Sequence, residues 1–206
     1  MKLVTKPLCL CAALAAASLA LARQADTAQT TSRVQMRSAI VCGPNAGGAK
    51  AAGPGTPYCF GVNCPCGNDD PDAGCVNSTG AGALLDGFGT SSVAAADLGL
   101  DITGLPPSSV TLILLSSQTA ELPFKDGKLC LGGTVWRLWK HFNSGQTGSL
   151  QIPNIANLFA IGGPFIVFAP GQIWHFQSWY RDPPATGTSC GLKSNLTNGY
   201  TVAFLP

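Results

Sequence analysis

The chain has 206 residues and a formal net charge of +2, and only 11% of its residues are charged. This near-neutral balance, without a basic run, argues against nucleic acid or an anionic membrane surface as a partner. Gly (25) and Pro (15) are abundant while apolar residues reach 46%, which favours one loop-rich β-domain over a helical protein.

Residues 1–22 have the three parts of a secretory signal peptide. Lys2 and Lys6 supply the positive charge, an apolar run follows, and residues 20–22 (Ala-Leu-Ala) place small side chains at the cleavage positions. The apolar run is shorter than the ~20 residues of a membrane span, so a retained anchor is the weaker alternative. We expect a mature chain that starts at Arg23, carries 10 basic and 10 acidic residues, and is exported without a membrane span.

Residues 23–57 are predicted to form a flexible linker. The segment is rich in Gly, Pro, Ala and Thr and shows no sustained apolar period, so it buries too little surface to offset chain entropy. The domain that follows is expected to comprise a cysteine-rich segment at 58–79 and a β-sandwich at 80–206.

Seven cysteines remain after cleavage, and in an exported chain their default state is the disulfide. A zinc site is the alternative for the four that cluster at 59–75, but residues 64–66 (Cys-Pro-Cys) lack the two-residue spacing that brings two thiolates to one ion. We expect Cys130 to pair with Cys190, the other four to pair among themselves, and Cys42 to be the odd thiol. The predicted disulfide cysteines are therefore Cys59, Cys64, Cys66, Cys75, Cys130 and Cys190.

From residue 80 onward, short apolar runs alternate with Gly, Pro, Asn and Ser, as strands alternate with turns. The predicted strands are Ala83–Phe88, Leu98–Thr103, Val110–Ser116, Gly133–Phe142, Ser149–Pro153, Phe165–Phe168, Ile173–Arg181 and Gly199–Leu205. Residues 125–127 are a predicted turn, and residues 154–161 are a predicted helical turn. About eight short strands predict an all-β fold, a single β-sandwich with Greek-key or jelly-roll connections.

Two of these strands, Gly133–Phe142 and Ile173–Arg181, contain all four tryptophans. Side-chain alternation favours a core position for four of the rings: Trp136, Phe142, Trp174 and Phe176. An alternative interpretation leaves other rings exposed as a stacking platform for a sugar: Trp139, Trp179 or, at its strand's end, Tyr180.

A resemblance to a known family rests on several phrases taken together. Together, six short segments resemble a cysteine-rich all-β module of secreted and cell-surface proteins from environmental bacteria, a family without an established activity. The segments are YCFG, CPCGN, GCVNSTGAGALL, LCLGGTVWRL, FQSWYRDP and NLTNGYTV. The resemblance spans residues 58–206 and implies export, a β-rich fold and cysteines at the six positions given above. Cys42 lies outside that set, and residues 139–142 (Trp-Lys-His-Phe) are more aromatic than the family's pattern.

No catalytic set is recognisable in the sequence. His141 and His175 are the only histidines, and no G-x-S-x-G motif accompanies them. Glu121 is the only Glu, whereas glycosidases use two carboxylates at one cleft. The alternative for the two histidines is a metal site in which Asp126 or Asp182 supplies a further ligand. We therefore expect a protein that is not an enzyme.

An acidic loop offers the best candidates for metal binding. Asp69, Asp70 and Asp72 place several oxygens within a few residues, which is what calcium needs. The loop lacks the regular spacing and the closing Glu of an EF-hand, so a solvated acidic turn is the preferred interpretation. No cofactor is expected, with calcium as the alternative.

The sequence thus predicts a secreted or surface-located, non-catalytic binding or structural module of unknown ligand. Its partner would be an extracellular glycan or protein. Two alternatives come from other classes: a carbohydrate-binding module that uses exposed strand aromatics, and an unrecognised extracellular hydrolase. A sugar binder should present two or three coplanar rings on one sheet face or at the loop end, whereas a hydrolase should show a cleft with converging His and Asp side chains.

Overall fold

A computed structural model describes residues 53–183 and 190–206. The predicted signal peptide, the linker up to residue 52 and Cys42 lie outside the described residues. Within these ranges the chain forms strands and one short helix in the following order: β1 (Thr56–Tyr58), β2 (Leu84–Phe88), β3 (Gly99–Thr103), β4 (Val110–Ser116), β5 (Gln118–Phe124), β6 (Gly127–Gly132), β7 (Trp136–Arg137), β8 (Phe142–Asn143), β9 (Leu150–Ile152), α1 (Ile155–Ile161), β10 (Ile173–Arg181), β11 (Ser194–Leu196) and β12 (Gly199–Ala203). The predicted all-β fold is confirmed.

The largest sheet is antiparallel and is built around β10. One edge of β10 pairs with β4, and the other edge pairs with β11 and β12. Strand β1 extends the sheet beyond β12, and β7 and β8 extend it beyond β4. Strands β2, β3 and β9 form a second sheet, and β5 and β6 form a hairpin. Two pairs of neighbours in the large sheet, β1 with β12 and β4 with β10, join strands that lie far apart in sequence.

The hydrophobic core lies between these two sheets. Alternate residues point into it, so β10 contributes Phe176 and Tyr180 while β4 contributes Ile113 and Leu115. The three-stranded sheet faces them with aliphatic side chains: Leu85, Leu100, Ile102 and Ile152. Each of these side chains is fully or almost fully buried, and burying one of this size contributes ~1.5–3 kcal/mol.

The β5–β6 hairpin covers the outer face of β10. Gln177 points away from the core but is fully buried. Its Nε2 donates to the carbonyls of Lys128 and Thr197, both at 2.8 Å, and its Oε1 accepts the N–H of Cys130 at 2.9 Å. Side-chain alternation predicts that this face is exposed to solvent. The prediction differs from the structure because the sequence indicates only the turn at 125–127 and not the two strands beside it.

Two predicted strands differ from the structure. Gly133–Phe142 consists of two short strands that pair with different parts of β4, separated by a loop. Phe165–Phe168 forms no strand, because Phe165 has a φ of 65° and this left-handed conformation interrupts an extended chain. The predicted helical turn at 154–161 is present as α1.

The end of the predicted linker belongs to the fold. Thr56 and Pro57 of β1 lie opposite Thr201 and Tyr200 of β12. The N–H of Gly55 donates to the hydroxyl of Tyr200 at 2.8 Å. The folded region therefore begins before the predicted boundary at residue 58.

Three disulfides use all six predicted cysteines: Cys59–Cys130, Cys64–Cys75 and Cys66–Cys190. The expected Cys130–Cys190 pair is wrong, because the hairpin carries Cys130 to the end of β1. There the Tyr58 hydroxyl donates to the carbonyl of Cys130 at 2.9 Å, which places Cys59 beside Cys130. Three disulfides are typical of an oxidising, extracytoplasmic compartment. In the part of the chain that the structure describes, no helix is long and apolar enough to cross a membrane.

Candidate functional site

Four large apolar side chains are exposed in the β7–β8 loop and in the segment that begins at the end of α1. Trp139, between β7 and β8, is 61% exposed, and Phe165, after α1, is 65% exposed. Their ring centroids are 5.5 Å apart, and the ring planes meet at 85°. Ile161 and Val167, from the same segment as Phe165, are also exposed, at 69% and 74%. We call these four residues the apolar surface; contiguous exposed apolar patches often mark interaction sites on soluble proteins.

The position of Trp139 is fixed by its neighbours. Leu138 is fully buried, and its N–H donates to the carbonyl of Ile113 at 2.9 Å, which anchors the chain directly before Trp139. The Trp139 ring lies against Gly163, where an added Cβ would come within 2.4 Å of the ring. Only glycine permits this close approach, and its φ of +68° also favours glycine.

Phe165 occupies an unfavourable backbone conformation. A φ of 65° costs a bulky residue on the order of 1–3 kcal/mol. The exposed ring recovers little of that cost by burial. Backbone strain without a packing benefit is characteristic of functional sites. This residue therefore belongs to the candidate site.

Two depressions flank α1 beside the apolar surface. The first has a volume of about 400 Å³ and is lined mainly by apolar side chains, including Val93, Leu98, Val167, Phe168 and Phe204. The second has a volume of about 360 Å³ and includes Lys140, Phe142, Gln151 and Leu158. Asn154 and Asn157 line both depressions. Both volumes fall in the range of small-molecule sites, ~300–1,000 Å³.

Only one of the three predicted platform aromatics belongs to this site. The expectation of an exposed Tyr180 is wrong: its side chain is fully buried in the core, and its hydroxyl accepts a hydrogen bond from the side-chain amide of Asn77 at 3.2 Å. Burial raises the pKa of Tyr180 well above its usual range. Trp179 is half-buried on the outer face of β10, where it lies opposite Leu112 and Leu196. Trp139 is exposed as the alternative interpretation required.

Sequence reasoning missed Phe165, Asn154 and Asn157. Phe165 was assigned to a strand, although the preceding residues 162–164 (Gly-Gly-Pro) are a strong turn signal that places it in a loop. No sequence signal brings Trp139 and Phe165 together, because 26 positions separate them and their contact depends on the fold.

The acidic residues of the predicted calcium loop are engaged with the backbone. Asp69 accepts the N–H groups of Asn63 and Cys64, at 3.1 and 2.7 Å. Asp70 accepts the N–H of Gly82 at 2.7 Å and that of Asp72 at 3.1 Å. Asp69 and Asp70 therefore brace the turns between the cysteines, and the structure does not gather the three carboxylates at one point.

One cluster of metal-binding residue types converges within the described ranges. Cys66, Asp126 and Cys190 place their side-chain atoms within 4.8 Å of one another. The two cysteines form a disulfide and offer no thiolate, and the Asp126 carboxylate accepts the N–H of Leu192 at 3.1 Å. In this oxidised form, the cluster joins the cysteine-rich segment, the turn of the β5–β6 hairpin and the segment at residues 190–192.

The two histidines are not brought together. His141 is exposed in the β7–β8 loop, whereas His175 is half-buried and its Nδ1 lies 2.9 Å from Thr201 Oγ1. The His175 ring also contacts Tyr58 edge-on, with the centroids 5.7 Å apart. Neither histidine is hydrogen-bonded to a carboxylate among residues 53–183 and 190–206.

Burial makes stability depend on pH through His175. Desolvation lowers the pKa of His175, so the unfolded chain binds this proton at a higher pH than the folded chain does. The contribution is complete above the unfolded pKa of ~6.5 and is lost as pH falls toward the lower folded pKa. His175→Gln should therefore reduce the fall in melting temperature between pH 7.5 and pH 5 relative to wild type. Thermal unfolding measures this, with exposed His141→Gln as control; an unchanged pH dependence in His175→Gln would contradict it.

Comparisons with known proteins give this site no counterpart. The chain matches no protein-family model, no curated protein and no solved structure. The apolar surface and the two depressions beside α1 are consequently interpreted from their own geometry.

Proposed function

We propose that this protein is a secreted or surface-located, non-catalytic binding module whose ligand-binding site is the apolar surface around Trp139. The observation that carries this proposal is the exposed contact between Trp139 and Phe165. Gly163 and a strained backbone hold these two rings in solvent, where they add little to the hydrophobic core. Exposed aromatic side chains on a rigid scaffold are typical anchors of binding sites.

Two further observations support export. The three disulfides suit an oxidising compartment, and residues 1–22 have the pattern of a signal peptide. The resemblance of residues 58–206 to a module of secreted and cell-surface bacterial proteins agrees with the same location. Surface attachment or release into the medium are both compatible with these features.

The test compares wild type with the double variant Trp139→Ala/Phe165→Ala on arrays of immobilised oligosaccharides and peptides. Removing both rings should weaken capture of the bound ligand at least ~10-fold, because anchors of this kind dominate binding free energy. Leu122→Ala is the matched control, since Leu122 is 53% exposed on β5, away from the site. Circular dichroism verifies that each variant is folded.

Three results would overturn the proposal. Undiminished binding by the double variant would place the site elsewhere. Appearance of cleavage products from a bound oligosaccharide or peptide would favour the alternative, an extracellular hydrolase. Absence of any captured ligand would favour a purely structural role.

A further inference from the structure

We propose that the ligand is an uncharged oligosaccharide that lies along α1, with its hydroxyls bound by Asn154 and Asn157 and one sugar ring stacked on Trp139. The proposal rests on the proposed function and names its ligand class. It adds two residues, both on the solvent side of α1, to the ligand-binding set.

The amide groups are the first support. Asn154 and Asn157 are exposed and line the depressions on both sides of α1. Asn154 precedes the helix in a left-handed conformation, with a φ of 52°, yet its side chain does not cap the helix. Neither amide makes a side-chain hydrogen bond within the described residues. Each amide therefore offers both donors and an acceptor to a ligand, and a sugar hydroxyl needs both kinds of partner.

The charge of the lining is the second support. The depression of about 400 Å³ contains no charged side chain. The depression of about 360 Å³ contains one, Lys140, whose Nζ lies 5.3 Å from the centre of the Phe142 ring. No carboxylate lines either depression. A cationic ligand would lose its hydration here without gaining a counter-charge, and an anionic ligand would gain only Lys140, so the lining favours an uncharged ligand.

The aromatic pair is the third support. Trp139 is the chain neighbour of Lys140, which lines the second depression, and Phe165 lies two residues before Val167, which lines the first. Phe165 meets Trp139 nearly at a right angle and forms a side wall to its ring. This corner suits a ring whose two faces carry C–H groups and whose edge carries hydroxyls. The two rings do not form the coplanar platform expected of a sugar binder, so the arrangement fits one stacked sugar unit rather than a flat polysaccharide surface.

A basic pocket elsewhere provides the contrast. Arg181 and Lys193 line a separate depression of about 370 Å³ together with Ser108 and Ser109. An acidic saccharide would find two counter-charges there, against the single Lys140 beside α1. The charge of the bound sugar therefore distinguishes the two places.

The test is isothermal titration calorimetry of the full chain with neutral cello-, xylo-, manno- and chito-oligosaccharides, and with polygalacturonate as the acidic probe. At least one neutral series should bind, with an affinity that is unchanged between low and high salt, because an uncharged ligand leaves no ionic attraction to screen. Asn154→Gly keeps the left-handed backbone favourable while it removes the amide. We expect Asn154→Gly and Asn157→Ala each to weaken binding about 5–10-fold, and Trp139→Ala at least ~10-fold. Leu122→Ala should bind as wild type does.

Each other outcome overturns the inference. Binding of polygalacturonate alone, with strong salt dependence, would assign the ligand to the Arg181–Lys193 pocket. A neutral sugar that binds all variants equally would place its site away from α1. Failure of every saccharide to bind would also reject the inference; if a peptide were then captured through Trp139, the proposed function would still stand.

Discussion

Replacing Cys59 and Cys130 with alanine is expected to lower the free energy of unfolding by about 4 kcal/mol. The bond joins residues separated by 71 positions, so its loss returns a large loop entropy to the unfolded chain. It also ties the end of β1 to the β5–β6 hairpin that covers β10, so both elements lose their anchor.

Urea denaturation followed by circular dichroism measures this effect. The matched control is Cys64→Ala/Cys75→Ala, which opens a bond of separation 11 and should cost about 3 kcal/mol. A smaller loss for the Cys59–Cys130 pair than for the Cys64–Cys75 pair would contradict the structural role assigned to this bond.

Gln177→Leu is expected to destabilise the fold by about 3 kcal/mol or more. The substitution keeps the volume of the side chain but leaves three buried backbone groups without their partners: the carbonyls of Lys128 and Thr197 and the N–H of Cys130. Each unpaired buried group costs ~1–3 kcal/mol. The hairpin should also separate from the sheet, since Gln177 bridges them.

The same substitution at an exposed strand position gives the control. Gln151 on β9 is exposed, so Gln151→Leu should change the free energy of unfolding by less than ~0.5 kcal/mol. Chemical denaturation gives both values, and amide hydrogen exchange reports the hairpin separately. Equal stability of Gln177→Leu and wild type would show that the hairpin is held by other contacts.

The central strands are the part of the fold that sequence patterning predicts best. Val110–Ser116 and Ile173–Arg181 coincide with β4 and β10, because both are rich in apolar or aromatic residues and are bounded by turn residues. The β5–β6 hairpin was not predicted. Strand β5 is almost entirely exposed and contains Pro123 and a register shift, so it lacks the alternation of a half-buried strand.

The disulfide partners and the contacts between distant side chains could not be predicted from the sequence. All six bonded cysteines were predicted, but their partners depend on where the hairpin lies, and six cysteines permit fifteen pairings. The alternative interpretation left Tyr180 exposed at the end of β10; instead it is buried, and the side-chain amide of Asn77 donates a hydrogen bond to its hydroxyl. Trp139 was recognised from its strand position, whereas Phe165 and the two asparagines join it only through tertiary structure.

The most direct test of the binding site follows the four tryptophan indole N–H resonances by ¹⁵N nuclear magnetic resonance during titration with the neutral oligosaccharide found by calorimetry. The account predicts that the Trp139 indole shifts progressively with ligand, together with the side-chain amides of Asn154 and Asn157, while Trp179 stays unchanged. A titration that shifts Trp179 or the backbone amides of Arg181 and Lys193 and leaves Trp139 unaffected would contradict it.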